Sequence, residues 1–307
     1  MVASSNRVYS LTDNRADFGF KIDFARDTED PARVFRAFEK LIDFCEFTDK
    51  ALIKALDIEL ESSLILDNIV QGSIIIWLKN IFSIDENQSH QNINLKKISL
   101  YLVNAKSSII NFINTRNTIN SPSELTELQT RLKESATSTE VNPLGIYTPS
   151  STQDLLASID KFQTANDELQ EVDKLFYLIR EQPSVPINRD FSISSEQKEN
   201  LLTGETLQSE IEMILKVKKP DYLGESKWEF KHEKRTINVK IQDLEWLSKF
   251  RNREVSVVPG DAIKAIVQVI SKYDFSGEVI SIQYSIQKVI EVIPMPPESQ
   301  LSLFKDV

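Results

Sequence analysis

His90 and His232 are the only two histidines in this 307-residue chain. One lies in a polar loop and the other in a charged turn, so a catalytic triad or a multi-histidine metal centre lacks its parts. The seven glycines are scattered singly, and Gly72 is not followed by Gly-Lys-Ser, which leaves no phosphate-cradling loop. Charge is more informative. Between Lys216 and Arg253, eleven Lys or Arg stand against six Asp or Glu, a surplus of five that leaves −15 for the rest of a chain whose net charge is −10. Tyr222, Trp228 and Trp246 are interleaved there, and such a composition can track a phosphate backbone and stack bases. Lys216, Lys218, Lys219, Lys231, Lys234, Arg235 and Trp228 are therefore candidate nucleic-acid contacts. The alternative is that the tryptophans anchor a core and the lysines form an ordinary wet face. At the C-terminus, Pro294, Pro296 and Pro297 forbid a continuing helix or inner strand. The tail behind them then offers the Gln300 amide and the apolar side chains of Leu301, Leu303 and Phe304 to a partner's groove.

Gln300-Leu301-Ser302-Leu303-Phe304 resembles, at all five positions, the Gln-Leu-(Ser/Asp)-Leu-Phe peptide by which bacterial polymerases, mismatch-repair proteins and replication regulators bind the ring-shaped sliding clamp. The resemblance implies that Gln300 enters a small polar pocket, that Leu303 and Phe304 fill a deep apolar one, and that Leu301 packs at its lip while Ser302 faces out. It covers five residues and says nothing of the remainder. A second resemblance lies in Pro220-Asp221-Tyr222-Leu223-Gly224-Glu225-Ser226-Lys227, which is similar to the Pro-Asp-x-(Asp/Glu)-x-Lys signature of a large nuclease superfamily. That likeness implies that Asp221 and Glu225 hold Mg²⁺ and that Lys227 positions the attacking water. Only three residues separate the acids, whereas the family sets them on two strands of a longer hairpin. A Tyr-Leu-Gly turn with solvated charges is the preferred reading.

Apolar periodicity predicts the elements that must position these residues. Phe18, Phe20, Ile22 and Phe24 alternate as a strand, and Asp30-Pro31 reads as the N-cap and first residue of a helix carrying Val34, Phe38, Leu41, Cys45, Leu52 and Leu56. Two strands follow through Leu60–Leu66 and Ile74–Leu78, with Gly72 as a bulge between them, and then a helix from Leu95 to Phe112. These form a β-α-β-β-α unit over residues 1–115. A helical segment, 116–182, opens on the capping box Ser121-Pro122-Ser123-Glu124. It continues into a long amphipathic helix, 152–181, where Leu155, Ile159, Phe162, Ala165, Leu169, Val172, Phe176 and Ile179 form a near-heptad seam that would suit a homodimer. Residues 183–209 read as a linker, 210–293 as a β-rich, barrel-like domain of short strands with one helix, and 294–307 as a flexible tail. The fold class expected is α+β.

Hydrophobic content of 41% and charged content of 27% are those of a soluble globular protein. A single cysteine, Cys45, fits a reducing cytoplasm, and no apolar run is long enough for a membrane span. The expectation is a non-catalytic cytoplasmic protein, without cofactor, recruited to the sliding clamp and possessing a basic β-rich domain that contacts DNA. A phage factor, a mobile-element protein and a host defence sensor fit equally. The alternatives are a clamp-localised, Mg²⁺-dependent nuclease and an oligomeric scaffold.

Overall fold

The computed structural model describes residues 7–9, 18–25, 30–70, 74–84, 94–141, 147–222 and 226–295. The chain divides between Leu201 and Leu202 into two compact units, and both helices and strands contribute to an α+β architecture.

The first unit runs β1 (Arg7–Tyr9), β2 (Phe18–Asp23), α1 (Arg33–Ala55), β3 (Glu61–Val70), β4 (Ile74–Ile84), α2 (Leu95–Asn114), α3 (Pro122–Ser138), α4 (Thr152–Asp167), β5 (Lys174–Ile179), β6 (Val185–Pro186) and α5 (Ser195–Leu202). In its antiparallel six-stranded sheet β4 pairs along one edge with β3 and along the other with β2 (at Ile74–Leu78) and β1 (at Phe82–Ile84), while β2 pairs on to β5 and β5 to β6. Alternation in β2 works as expected: Phe18, Phe20 and Ile22 are buried, while Lys21 and Asp23 pair at 3.0 Å on the opposite face. The apolar faces of α1 and α2 are buried at Val34, Phe38, Leu41, Leu52, Ile98, Leu102, Ile109 and Phe112. Asp30 does not cap α1. Ala32 occupies the N-cap, and Asp30 instead receives Arg36 Nη2 at 2.6 Å. The expected capping box before α3 does not form: Ser121 makes no cap bond, and Glu124 Oε1 accepts the N–H of Asn120, one residue before the N-cap, at 3.0 Å.

Three expectations are corrected here. The helix expected over 152–181 stops at Asp167, and Lys174–Ile179 is a strand paired antiparallel with β2. Long-range hydrogen bonds explain the stop. Arg189 donates to the carbonyls of Leu169 (2.7 Å) and Asp173 (2.8 Å) and, through Nε, to Asn166 Oδ1 (3.0 Å), satisfying groups at the helix end. The homodimer seam is also lost, since Leu155, Ile159, Phe162 and Ala165 are buried and Phe162 packs edge-on against Phe44 of α1 at 5.1 Å. Finally, the unit does not close near residue 115, nor is 183–209 a linker. β5 completes the sheet, Ile187, Phe191, Ile193 and Leu201 are buried, and β7 begins at Glu205.

The second unit comprises β7 (Glu205–Lys219), β8 (Trp228–His232), β9 (Arg235–Ile241), α6 (Leu244–Arg251), β10 (Ala262–Tyr273) and β11 (Val279–Ile293). The strands close into a barrel of order β7-β8-β9-β11-β10, with β9 and β11 parallel and the other pairs antiparallel. Its core alternates inward from every strand: Met213, Leu215 and Val217; Trp228 and Phe230; Val239 and Ile241; Ile263, Ala265 and Val267; and Ile286. Leu247 and Phe250 of α6 join that cluster. Among the described residues, no helix is long and apolar enough to cross a membrane.

Candidate nucleic-acid interface

On β7, β8 and β9 the residues between the core positions point outward, and this alternation sorts the basic residues onto one surface. Lys216 pairs in register with Lys231, which pairs with Thr236, and all three are exposed. Lys240, also exposed, lies beside Ser285 of β11. Lys234 and Arg235 sit at the β8–β9 turn, where Glu233 adopts φ 51°. Among the described residues Lys216, Lys231, Lys234, Arg235 and Lys240 enter no ion pair, whereas Lys218 is paired with Glu229 at 2.9 Å. The Lys218 hydrogen bond holds the Glu229 carboxyl below the usual carboxylate range. Lys219 is exposed at the end of β7.

Trp228 is not a stacking platform for bases. It is 2% exposed, with its ring 4.9 Å from Phe250 and 5.9 Å from Trp246, and the inward parity of β8 puts it in the core. Tyr222 shows more surface: it is 54% exposed, stacks on Phe250 at 5.3 Å and donates its hydroxyl to the Val257 carbonyl. A cleft of about 310 Å³ between β9 and α6 includes Lys240 and Arg251 in its lining. Neither residue was a sequence candidate; both fall within the basic stretch, but only folding brings them together.

Asp221 is hydrogen-bonded to Ser226. Its Oδ2 accepts the Ser226 N–H at 3.0 Å and the Ser226 hydroxyl at 2.5 Å. Lys227 is exposed, and Glu225 lies outside the described residues, as do His90, Gly72, Gln300, Leu301, Leu303 and Phe304. Among the described residues, no group of three His, Cys, Asp or Glu is placed to hold a metal ion.

No family model, curated protein or solved structure matches the chain. The geometry of its own residues is thus the guide to function. A closed five-stranded barrel with a helix inserted is an architecture also used by oligonucleotide-binding modules, although many unrelated functions share small barrels.

The last described segment bears on the tail. Asp261, buried before β10, accepts the Val258 N–H through Oδ2 and the Met295 N–H through Oδ1, each at 2.9 Å. Gly260 beside it has φ 105°, and a Cβ there would meet Met295 Sδ at 2.8 Å. The chain is therefore tied to the barrel at Met295, five residues before Gln300.

The first unit also carries a groove, of about 760 Å³, between α1 and the start of β3. Glu46, Lys50, Lys54, Glu59 and Glu61 line it with both signs of charge. Ser62 links it to the interior: Asn80 Nδ2 donates to Ser62 Oγ at 2.9 Å and to Asp49 Oδ2 at 2.6 Å, and Asp49 pairs with buried Lys106. Cys45, fully buried nearby, has its thiol pKa pushed up by burial, which suits a structural role.

Proposed function

We propose that the protein is a non-catalytic interaction protein that its C-terminal peptide brings to the bacterial sliding clamp, with the outward face of β7, β8 and β9 lying along a nucleic-acid backbone. The observation that carries the reading is the five-of-five match at Gln300–Phe304, five residues beyond the point where Asp261 fastens the chain to the barrel. Lys216, Lys231 and Lys240 on that face, with Lys234 and Arg235 at the adjoining β8–β9 turn, support the second half, because unpaired cations release counterions when they meet phosphates. A cytoplasmic setting, in which Cys45 stays reduced, belongs to the same reading. Asp221 favours a structural role over a metal ligand, since one of its oxygens already accepts two Ser226 hydrogens.

The test is binding of the full-length protein to a purified bacterial sliding clamp, beside a Gln300→Ala/Phe304→Ala variant. Micromolar or tighter binding, weakened more than tenfold or about 1.4 kcal/mol by the double change, supports the reading. Equal binding by both proteins, or none by either, refutes it.

A further inference from the structure

The outward side of β9 carries Thr236, Asn238 and Lys240, all exposed, alternating with the buried Val239 and Ile241. Lys231 of β8 stands in register beside Thr236, and Glu229, beside Asn238, is already paired with Lys218 at 2.9 Å. Positive charge therefore runs from the β8–β9 turn along β9, with about 13 Å between the Thr236 row and Lys240. The row ends at the cleft between β9 and α6, which Lys240 lines.

The chemistry changes at that point. Trp228, Ile241 and Leu247, all buried, close the floor of the cleft, and Leu244, the first residue of α6, stands on its rim 75% exposed. Lys240 and Arg251 supply charge, and among the described residues that line the cleft none is acidic. The acids nearest in sequence are engaged. Asp243 accepts the Trp246 N–H through Oδ1 and the Val289 N–H through Oδ2, each at 3.0 Å, and Glu245 holds Lys249 at 2.9 Å. At about 310 Å³ the cleft is at the lower end of ligand-site sizes.

We propose that this cleft takes one unpaired base of a single-stranded nucleic acid whose backbone follows the cations of β8 and β9. The proposal rests on the nucleic-acid half of the function above and adds the form of nucleic acid that is bound. A cationic face reads only phosphates, which single strands and duplexes both carry. An apolar floor beside that face rewards a ligand that brings a flat apolar surface together with negative charge. An unpaired base with its flanking phosphates does so. In a duplex the same base is paired and stacked, and reaching the cleft would first cost its extraction from the helix. An apolar peptide matches the floor and leaves the cations unanswered, whereas a nucleic acid matches both, because its charge repeats along the row that leads into the cleft.

Fluorescence anisotropy of the full-length protein at low salt tests this with three end-labelled probes of equal length: a single strand of mixed sequence, its duplex, and an abasic strand that keeps the phosphates and lacks the bases. The wild type should bind the single strand about tenfold tighter than the abasic strand, or about 1.4 kcal/mol. Leu244→Gln changes only the rim. It should bring single-strand affinity down to the abasic level and leave Tm, duplex binding and abasic binding unchanged. Equal binding of single and abasic strands by the wild type leaves the cationic face standing and overturns the cleft. A preference that survives Leu244→Gln places the base elsewhere and overturns it too. Loss of clamp binding in Leu244→Gln, with oligonucleotide binding intact, assigns the cleft to a protein contact instead. Binding of none of the probes removes the nucleic-acid half of the function, and the cleft proposal with it.

Discussion

Arg33 on α1 and Asp173 before β5, 140 residues apart, form a buried two-point ion pair: Nε to Oδ2 at 2.8 Å and Nη2 to Oδ1 at 3.0 Å. Their side chains are 2% and 0% exposed. Asp173 also accepts the backbone N–H groups of Ala25 and Gln170, each at 3.0 Å. One carboxylate thus ties together the end of β2, the start of α1 and the turn that leads into β5.

Removing one partner leaves a charge buried without compensation. Asp173→Asn or Arg33→Gln is expected to lower unfolding stability by about 3–5 kcal/mol, read from the urea midpoint. Burial by itself raises the Asp173 pKa, but the hydrogen bonds from Arg33, Ala25 and Gln170 outweigh it and hold the carboxyl below its usual range. A depressed folded pKa adds stability that is present above the unfolded value and lost as pH falls through the folded one. The urea midpoint should therefore drop on acidification below about pH 4, with a smaller drop in Asp173→Asn.

Lys106 is 0% exposed, pairs with Asp49 and has its ammonium 4.4 Å from the centre of the Phe18 ring. Lys106→Met alone strands the Asp49 carboxylate and should cost about 3–5 kcal/mol. The Lys106→Met/Asp49→Leu double variant should lose much less than the two single losses combined, a non-additivity that a double-mutant cycle measures directly.

Gly19 pairs with Trp77 across β2 and β4, and a Cβ there would lie 2.4 Å from the Ile76 carbonyl oxygen and 3.2 Å from the Trp77 ring. The clash is with backbone, which has little room to yield. Gly19→Ala should lower stability by about 1–3 kcal/mol, with a change in Trp fluorescence as the indole is displaced.

Trp228 and the surrounding lysines should separate cleanly. Trp228→Ala empties the barrel core and should cost about 3–5 kcal/mol in thermal or urea unfolding. Lys216→Glu/Lys231→Glu/Lys240→Glu changes only exposed residues. It should leave Tm nearly unchanged while abolishing binding of a single-stranded oligonucleotide at low salt, and the wild-type salt slope should be about −0.7 for each phosphate contact. Wild-type protein that does not bind the oligonucleotide at low salt refutes the nucleic-acid half of the proposed function.

Strict local patterns were readable from the chain alone. Phe18, Phe20 and Ile22 on β2, the apolar stripes of α1 and α2, and the alternation of Met213, Leu215 and Val217 on β7 are short-range signals in which one periodicity admits one local structure. The same alternation predicts a barrel-like second unit, since so many short strands must close or expose edges. The proposed clamp-binding peptide is likewise confined to five adjacent residues, Gln300–Phe304.

Tertiary contacts decided the rest. The apolar spacing of Leu155 through Ile179 is compatible with one long helix, yet Arg189 ends the helix and pairing with Phe18–Asp23 makes Lys174–Ile179 a strand. Those partners lie far away in sequence, so no local window contains them. Trp228 reads as a stacking platform or as a core anchor until strand parity turns it inward. Likewise, only register shows that across β7, β10 and β11 Leu207, Ser271 and Ile282 share one face while Gln208, Ile270 and Gln283 share the other.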